Sequence, residues 1–383
     1  MKCQVLVLVL ILGLTVEARP KHWDKLFKKS EDDRVPGQYI VSLKPGFDAG
    51  AFVSRVETAK SASFVNCSFS HVYNIINGFA AKLTFEGLEE LLSSDEVSLI
   101  EENGIVRAHK VGSWGIDRVD QRYLPLDGEA EFTGDGDGVT VYILDTGIYP
   151  GNEYFDGRAT VGYDAIGGGQ EGVDCNGHGT HCAGTIGSND YGIARKAELV
   201  GVRVLNCLGS GLTSQIVNGL DWVQKNAKKP AVASMSLGGG VSPLLDEAVS
   251  SLIESGVLVT VSAGNDDHDA CRNSPARVEE TVTVGATDRS DIRAYFSNYG
   301  TCLDIFAPGV DITSTWYTEP TAINTISGTS MACPHVAGAA AIALGNDNGL
   351  TPSALKSKIL ADATTGVVND PQPGSPNLLL YIP

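Results

Sequence analysis

Three polar side chains in this sequence sit where glycine-rich turns follow or precede apolar runs, and their types compose one chemistry. Asp145 ends the run in "VYILDTGI", His178 opens "HGTHCAG" after "DCNG", and Ser330 stands in "GTSMACPHVAG" ahead of an alanine-rich stretch. A serine hydroxyl is a weak nucleophile until an imidazole takes its proton. The imidazole in turn needs a carboxylate to fix its tautomer and steady its charged form. Taken singly, each residue has an ordinary structural reading: Asp145 as a turn former, His178 as a helix-start residue, Ser330 as the N-cap of a core helix. They lie far apart in the chain, so only a particular fold could bring them together.

The elements around them supply such a fold. "GVTVYIL" (138–144), "AELVGVRVL" (197–205), "AVASMSL" (231–237), "GVLVTVSA" (256–263) and "TVTVGA" (281–286) are near-continuous apolar runs, as expected of strands covered on both faces. Helical stretches, "TSQIVNGLDWVQKNA" (213–227) and "LLDEAVSSLIESG" (244–256), alternate with them. This order predicts an α/β fold, a doubly wound parallel sheet with helices on both faces. In such sheets ligands sit at the carboxyl ends of the strands. Upstream, "QYIVSL", "AGAFVSRVETAKSA", "FSHVYNII", "GFAAKLT", "FEGLEELLS" and "VSLIEENGIVRA" read as β, α, β, β, α, β. That order predicts a small ferredoxin-like α+β domain, preceded by a polar linker over 19–37.

Composition places the chain outside the cell. Met1, Lys2, an apolar run from Val5 to Val16 and "VEA" ending at Ala18 read as a secretory signal peptide, too short to span a bilayer. Residues 1–110 carry 13 Lys and Arg against 14 Asp and Glu, whereas 111–383 carry 15 against 32. The acidity argues against nucleic acid or an anionic membrane as partner, and is compatible with bound calcium. Of eight cysteines, Cys3 falls in the signal peptide and Cys67 in the early domain. The other six can pair fully in about 15 ways. "NCS" at 66–68 forms an N-glycosylation sequon on Asn66.

The stretches "DTGI", "HGTHCAG" and "GTSMACPHVAG", in that order, resemble the active-site signatures of subtilisin-like serine peptidases, and in detail the proteinase K branch. The order Asp, His, Ser is the one the subtilisins use. The resemblance implies Asp145 as orienting carboxylate, His178 as general base and acid, Ser330 as nucleophile, and Asn265 of "TVSAGND" as oxyanion donor beside the Ser330 N–H. It implies that Gly209, Ser210 and Gly211, with Ser236, Leu237 and Gly238, form two edges that pair with an extended peptide. Neither segment carries a charge, so broad specificity with an apolar or aromatic preference is expected. It further implies Cys175–Cys207 and Cys271–Cys302 disulfides, as in aqualysin-like members. Cys182 and Cys333 are then expected as free buried thiols, a mutual disulfide being the alternative.

Structural calcium is the implied cofactor. One site would use Asp304 with the carbonyls of Glu279 and Thr281, the other Asp117, Asp120, Gln121 and Asp127. The resemblance divides the chain into a signal peptide (1–18), a propeptide (19–110, folded over about 36–106) and a peptidase domain (111–383). The propeptide would act as an intramolecular inhibitor, cut between Val106 and Gly112. No dibasic site is present there, which favours self-cleavage. The whole reads as a secreted, self-processed zymogen of a serine endopeptidase acting as a monomer on protein or peptide substrates. Two other readings stay open at this point: a binding protein whose propeptide remains as a permanent lid, and a released propeptide acting as a peptidase inhibitor.

Overall fold

The apolar runs of the second half lie side by side in a nine-stranded sheet. The computed structural model describes residues 23–29, 34–59, 62–73, 75–104 and 112–383, and falls into two units, Met1–Ala108 and His109–Pro383. The expected signal peptide, and residues 106–111 of the expected processing junction, lie outside the described residues.

In the second unit the sheet order from one edge is Thr364–Thr365, Leu378–Leu379, Ile305–Pro308, Val282–Thr287, Leu258–Ser262, Ala231–Met235, Thr140–Asp145, Glu198–Arg203 and Ala159–Asp164. All neighbours are parallel except the Thr364–Thr365 edge strand. Thr140 pairs with Glu198 on one side and with Ala231 on the other. The chain therefore builds outward from the Thr140 strand in one direction, then reverses. The crevice such a reversal opens lies at the carboxyl ends of these strands, where Asp145 is the last strand residue.

Strand alternation feeds two cores. Val141 and Ile143 pack with Ile186, Val336 and Ile342 on one face of the sheet; Tyr142 and Leu144 pack with Leu220, Val223 and Val249 on the other. Each fully buried aliphatic side chain of this kind contributes about 1.5–3 kcal/mol. The helices His178–Gly187 and Thr329–Asn346 thus cover one face, and Thr213–Asn226 with Pro243–Glu254 the other. The fold expectation is borne out. The strands Ala159–Asp164 and Ile305–Pro308 and the helix Pro352–Asp362 were not read from the sequence.

The first unit has the β, α, β, β, α, β order, with strands Arg34–Leu43, Ser68–Tyr73, Gly78–Lys82 and Val97–Gly104 and helices Ala49–Ala59 and Phe85–Ser93. Its core gathers Val41, Phe79, Leu91 and Ile100. The linker expectation needs correcting. Leu26–Phe27 forms a fifth strand parallel to Val97–Gly104, with Leu26 opposite Ile100, and the Arg34 strand begins inside the supposed linker. Trp23 and Leu26 pack on the core, so two apolar residues dock a stretch whose charges alone read as solvated. Asn66 of the sequon is exposed.

Candidate active site

Asp145 is fully buried at the end of its strand. Its Oδ1 accepts from the Thr146 N–H and stands 2.7 Å from Nδ1 of His178. His178 opens its helix after Gly177, whose φ of 107° a Cβ would not tolerate readily. Burial pushes the imidazole pKa down, but the charge and hydrogen bond of Asp145, and then the charge of Asp174, outweigh it, and the pKa is raised above 6.5.

Asp174, which sequence reasoning missed, holds this turn. Its Oδ1 accepts from Thr146 Oγ1, Asn176 N–H and Gly177 N–H at 2.9 Å each, and its Oδ2 from the N–H and hydroxyl of Thr180. The loop before His178 is thereby tied to the residue after Asp145. The available signal was local: an Asp shortly before "NGHGT", where a carboxylate can bond the backbone ahead of it.

Ser330 is the second residue of the helix Thr329–Asn346. Its Oγ donates to the Ser236 carbonyl at 3.1 Å rather than to His178; the two catalytic candidates share the walls of one cleft. Pro334, four residues on, has no N–H, so the Ser330 carbonyl lacks its helix donor. Two side chains replace it: Ser236 Oγ at 2.9 Å and Cys182 Sγ at 3.4 Å. Cys182 and Cys333 are indeed free, buried thiols, and burial raises the pKa of both, so each remains a protonated donor. Cys333 donates to Thr260 Oγ1.

Asn265 follows the Leu258–Ser262 strand. Its Oδ1 accepts from the N–H and the hydroxyl of Thr329, each at 2.9 Å, which leaves Nδ2 to donate outward. A Cβ placed on Gly328 would stand 3.6 Å from the Ser330 nitrogen and 3.7 Å from Asn265 Nδ2. The two nitrogens therefore lie near one point beside Gly328 at a helix N-terminus.

A cleft of about 420 Å³ is lined by Gly209, Ser210, Gly211, Ser236, Leu237 and Gly238 together with His178, Ser330, Asn176, Leu205 and Ile216. All six expected substrate-edge residues thus line one cleft with Ser330 and His178. Cys175–Cys207 and Cys271–Cys302 are both formed. The first joins the loop before His178 to the loop before Gly209, tying two walls of the cleft.

The two expected metal sites differ. Asp304 and the carbonyls of Glu279 and Thr281 do converge, but on the ammonium of Lys356, at 2.8, 2.7 and 2.6 Å. The residues present do not fit a calcium ion there, and that expectation is corrected: the lysine, unread in the sequence, already fills the cradle. The other site is only partly assembled: the carboxylate oxygens of Asp117, Asp120 and Asp127 do not all lie within 4.8 Å of one another. Asp117 Oδ1 and Asp120 Oδ1 are buried without a hydrogen-bond partner. Burial, with the charges of Asp127 and Asp117, raises the Asp120 pKa to about 6, and burial also raises that of Asp117. Such strain among carboxylates is relieved by a hard cation. Gln121 is turned aside, its amide donating to the Tyr123 and Pro125 carbonyls and its main-chain oxygen accepting from Arg118.

Comparison with known proteins agrees with this geometry. Residues 136–377 match the subtilase family model, and residues 38–109 match that of the peptidase inhibitor I9. The chain is 48% identical over 371 residues to an extracellular serine proteinase of Thermus sp. (strain Rt41A), covering 92% of this chain and 90% of the relative. It is 45% identical over 369 residues to subtilisin-like protease 2 of Pseudogymnoascus destructans, covering 93% and 92%. A crystal structure of a cold-adapted subtilisin-like serine proteinase superposes with a TM-score of 0.69 at 52% identity, covering 72% of this chain and 98% of that one. With its triad-like cluster at the carboxyl ends of a parallel sheet and an inhibitor-type domain ahead of it, this chain belongs to the subtilase family of serine peptidases.

Proposed function

We propose that this secreted serine endopeptidase hydrolyses peptide bonds with Ser330 as nucleophile, His178 as general base and acid, and Asp145 as its orienting carboxylate. The observation that carries the reading is the placement of the Ser330 nitrogen and Asn265 Nδ2 near one point beside Gly328, with Ser330 in the same cleft as a His178 bonded to a buried Asp145. Ser330 Oγ turns from the Ser236 carbonyl toward His178 when substrate enters, as catalytic hydrogen bonds often tighten only in the complex. The oxygen attacks the scissile carbonyl, and its proton passes to Nε2. The imidazolium is steadied at Nδ1 by Asp145 and protonates the leaving amine; a water then attacks the Ser330 ester, His178 taking its proton and returning it to Ser330 Oγ as the acid product leaves. The oxyanion is held by the two donors, the Asn265 side chain worth about 10²- to 10³-fold in rate, a figure measured for such an asparagine in a subtilisin.

The backbone of 209–211 and 236–238 pairs with an extended substrate. Leu205, Ile216 and Leu237 give the cleft apolar walls, and the preference is for apolar or aromatic side chains before the cut. A peptide library read by mass spectrometry tests this: cleavage after Phe, Tyr and Leu is expected, and cleavage confined to Arg and Lys contradicts it.

The inhibitor-type domain holds the enzyme inactive until the chain cuts itself near residues 106–112. Calcium binds Asp117, Asp120 and Asp127 and supports the fold without taking part in the chemistry. A chelator is expected to lower the melting temperature of wild type and to leave that of Asp120→Asn unchanged.

A further inference from the structure

Lys356 reaches from the helix Pro352–Asp362 to three oxygens at once. Its Nζ bonds Asp304 Oδ1 and the carbonyls of Glu279 and Thr281, all within 2.8 Å. An ammonium has three N–H donors and no acceptor, so these acceptors use all of them.

Both sides of the contact are built. The oxygens lie at the amino ends of the neighbouring strands Val282–Thr287 and Ile305–Pro308, away from the cleft. Asp304 Oδ2 accepts the Thr283 N–H at 2.8 Å, and Thr281 is tied through its hydroxyl to the Val278 carbonyl at 2.8 Å. The helix is fixed from below by buried Leu355 and Ile359, and its first turn is capped by Thr351. The Lys356 side chain is only 18% exposed.

We infer that Lys356 is a tethered cation that takes the place of a metal ion in the Asp304, Glu279 and Thr281 cradle. A calcium ion needs six to eight oxygens at about 2.3–2.6 Å. To enter, it must displace the ammonium and then face its charge. The Glu279–Asp304 region is therefore held at any calcium concentration, and whatever calcium dependence the protein has lies elsewhere.

The test uses the processed protein, inactivated at its serine by a sulfonyl fluoride so that it cannot digest itself. Bound calcium is counted by equilibrium dialysis for wild type, Asp304→Asn, Lys356→Met and the double variant, with melting temperatures in calcium and in chelator. Wild type and Asp304→Asn are expected to bind the same number of ions. Lys356→Met is expected to bind one more, lost again in the double variant, and to melt higher in calcium by more than wild type does. An ion lost in Asp304→Asn alone overturns the inference, because calcium would then displace the lysine. So does a Lys356→Met protein that gains no ion, since the cradle would then be no cation site. Should Lys356→Met fail to fold, the comparison of wild type with Asp304→Asn decides.

Discussion

Ser236 and Ser330 bind each other reciprocally: Ser330 Oγ donates to the Ser236 carbonyl at 3.1 Å, and Ser236 Oγ donates to the Ser330 carbonyl at 2.9 Å. One bond holds the Ser330 hydroxyl against the 236–238 segment. The other satisfies the carbonyl that Pro334 leaves without a helix donor. Ser236→Ala removes only the second, with Cys182 still in place, and should destabilise the inactivated protein by about 0.5–1.5 kcal/mol. Thermal unfolding checks the loss; a kcat drop of less than tenfold is expected beside it.

Gly328 offers a sharper probe of the oxyanion site. Its φ of 160° is extended backbone, open to alanine. An added methyl would nevertheless stand 3.6 Å from the Ser330 nitrogen and 3.7 Å from Asn265 Nδ2. Gly328→Ala is expected to lower kcat by about 10²- to 10³-fold, with KM and melting temperature nearly unchanged. Steady-state kinetics beside a thermal melt would separate this from misfolding.

The pH profile follows from His178. Only neutral imidazole accepts the serine proton, and Asp145 with Asp174 raises the His178 pKa above 6.5 against the effect of burial. Activity should therefore rise with pH through a midpoint above 6.5. Removing the charge in Asp145→Asn leaves burial to dominate, so the limb should move to lower pH while kcat falls by about 10⁴-fold, the cost of the same change in a chymotrypsin-type triad. kcat/KM measured from pH 5 to 9 for both proteins reports the direction. The same raised pKa bears on stability: the Asp145 pairing stabilises the fold most at low pH, where His178 is charged, and less as pH rises through its folded pKa.

Much of this was legible in the sequence because of continuity and chemistry. The apolar runs from Val141 to Val284 became buried parallel strands, and Asp145, His178, Ser330 and Asn265 fall at the ends of elements that the glycines mark. Ala159–Asp164 escaped because only Ala159 of its six residues is buried and Gly162 with Asp164 breaks the apolar pattern. Leu26–Phe27 is two residues among lysines, too short for alternation to show. Lys356 and Asp174 escaped for another reason. Lys356 depends on a partner far along the chain, Asp304, that no local spacing encodes; Asp174 carried a local signal in the turn it caps, but its bond to Thr146 is equally hidden from the sequence.

The most direct measurement compares wild type with Ser330→Ala, each expressed as the full secreted chain, by intact mass and by digestion of an unstructured protein. The account predicts that wild type loses its propeptide and digests the substrate, while Ser330→Ala keeps the propeptide uncut and digests nothing. A Ser330→Ala protein that still digests the substrate, or a cut wild type whose propeptide stays bound and permits no turnover, would contradict it.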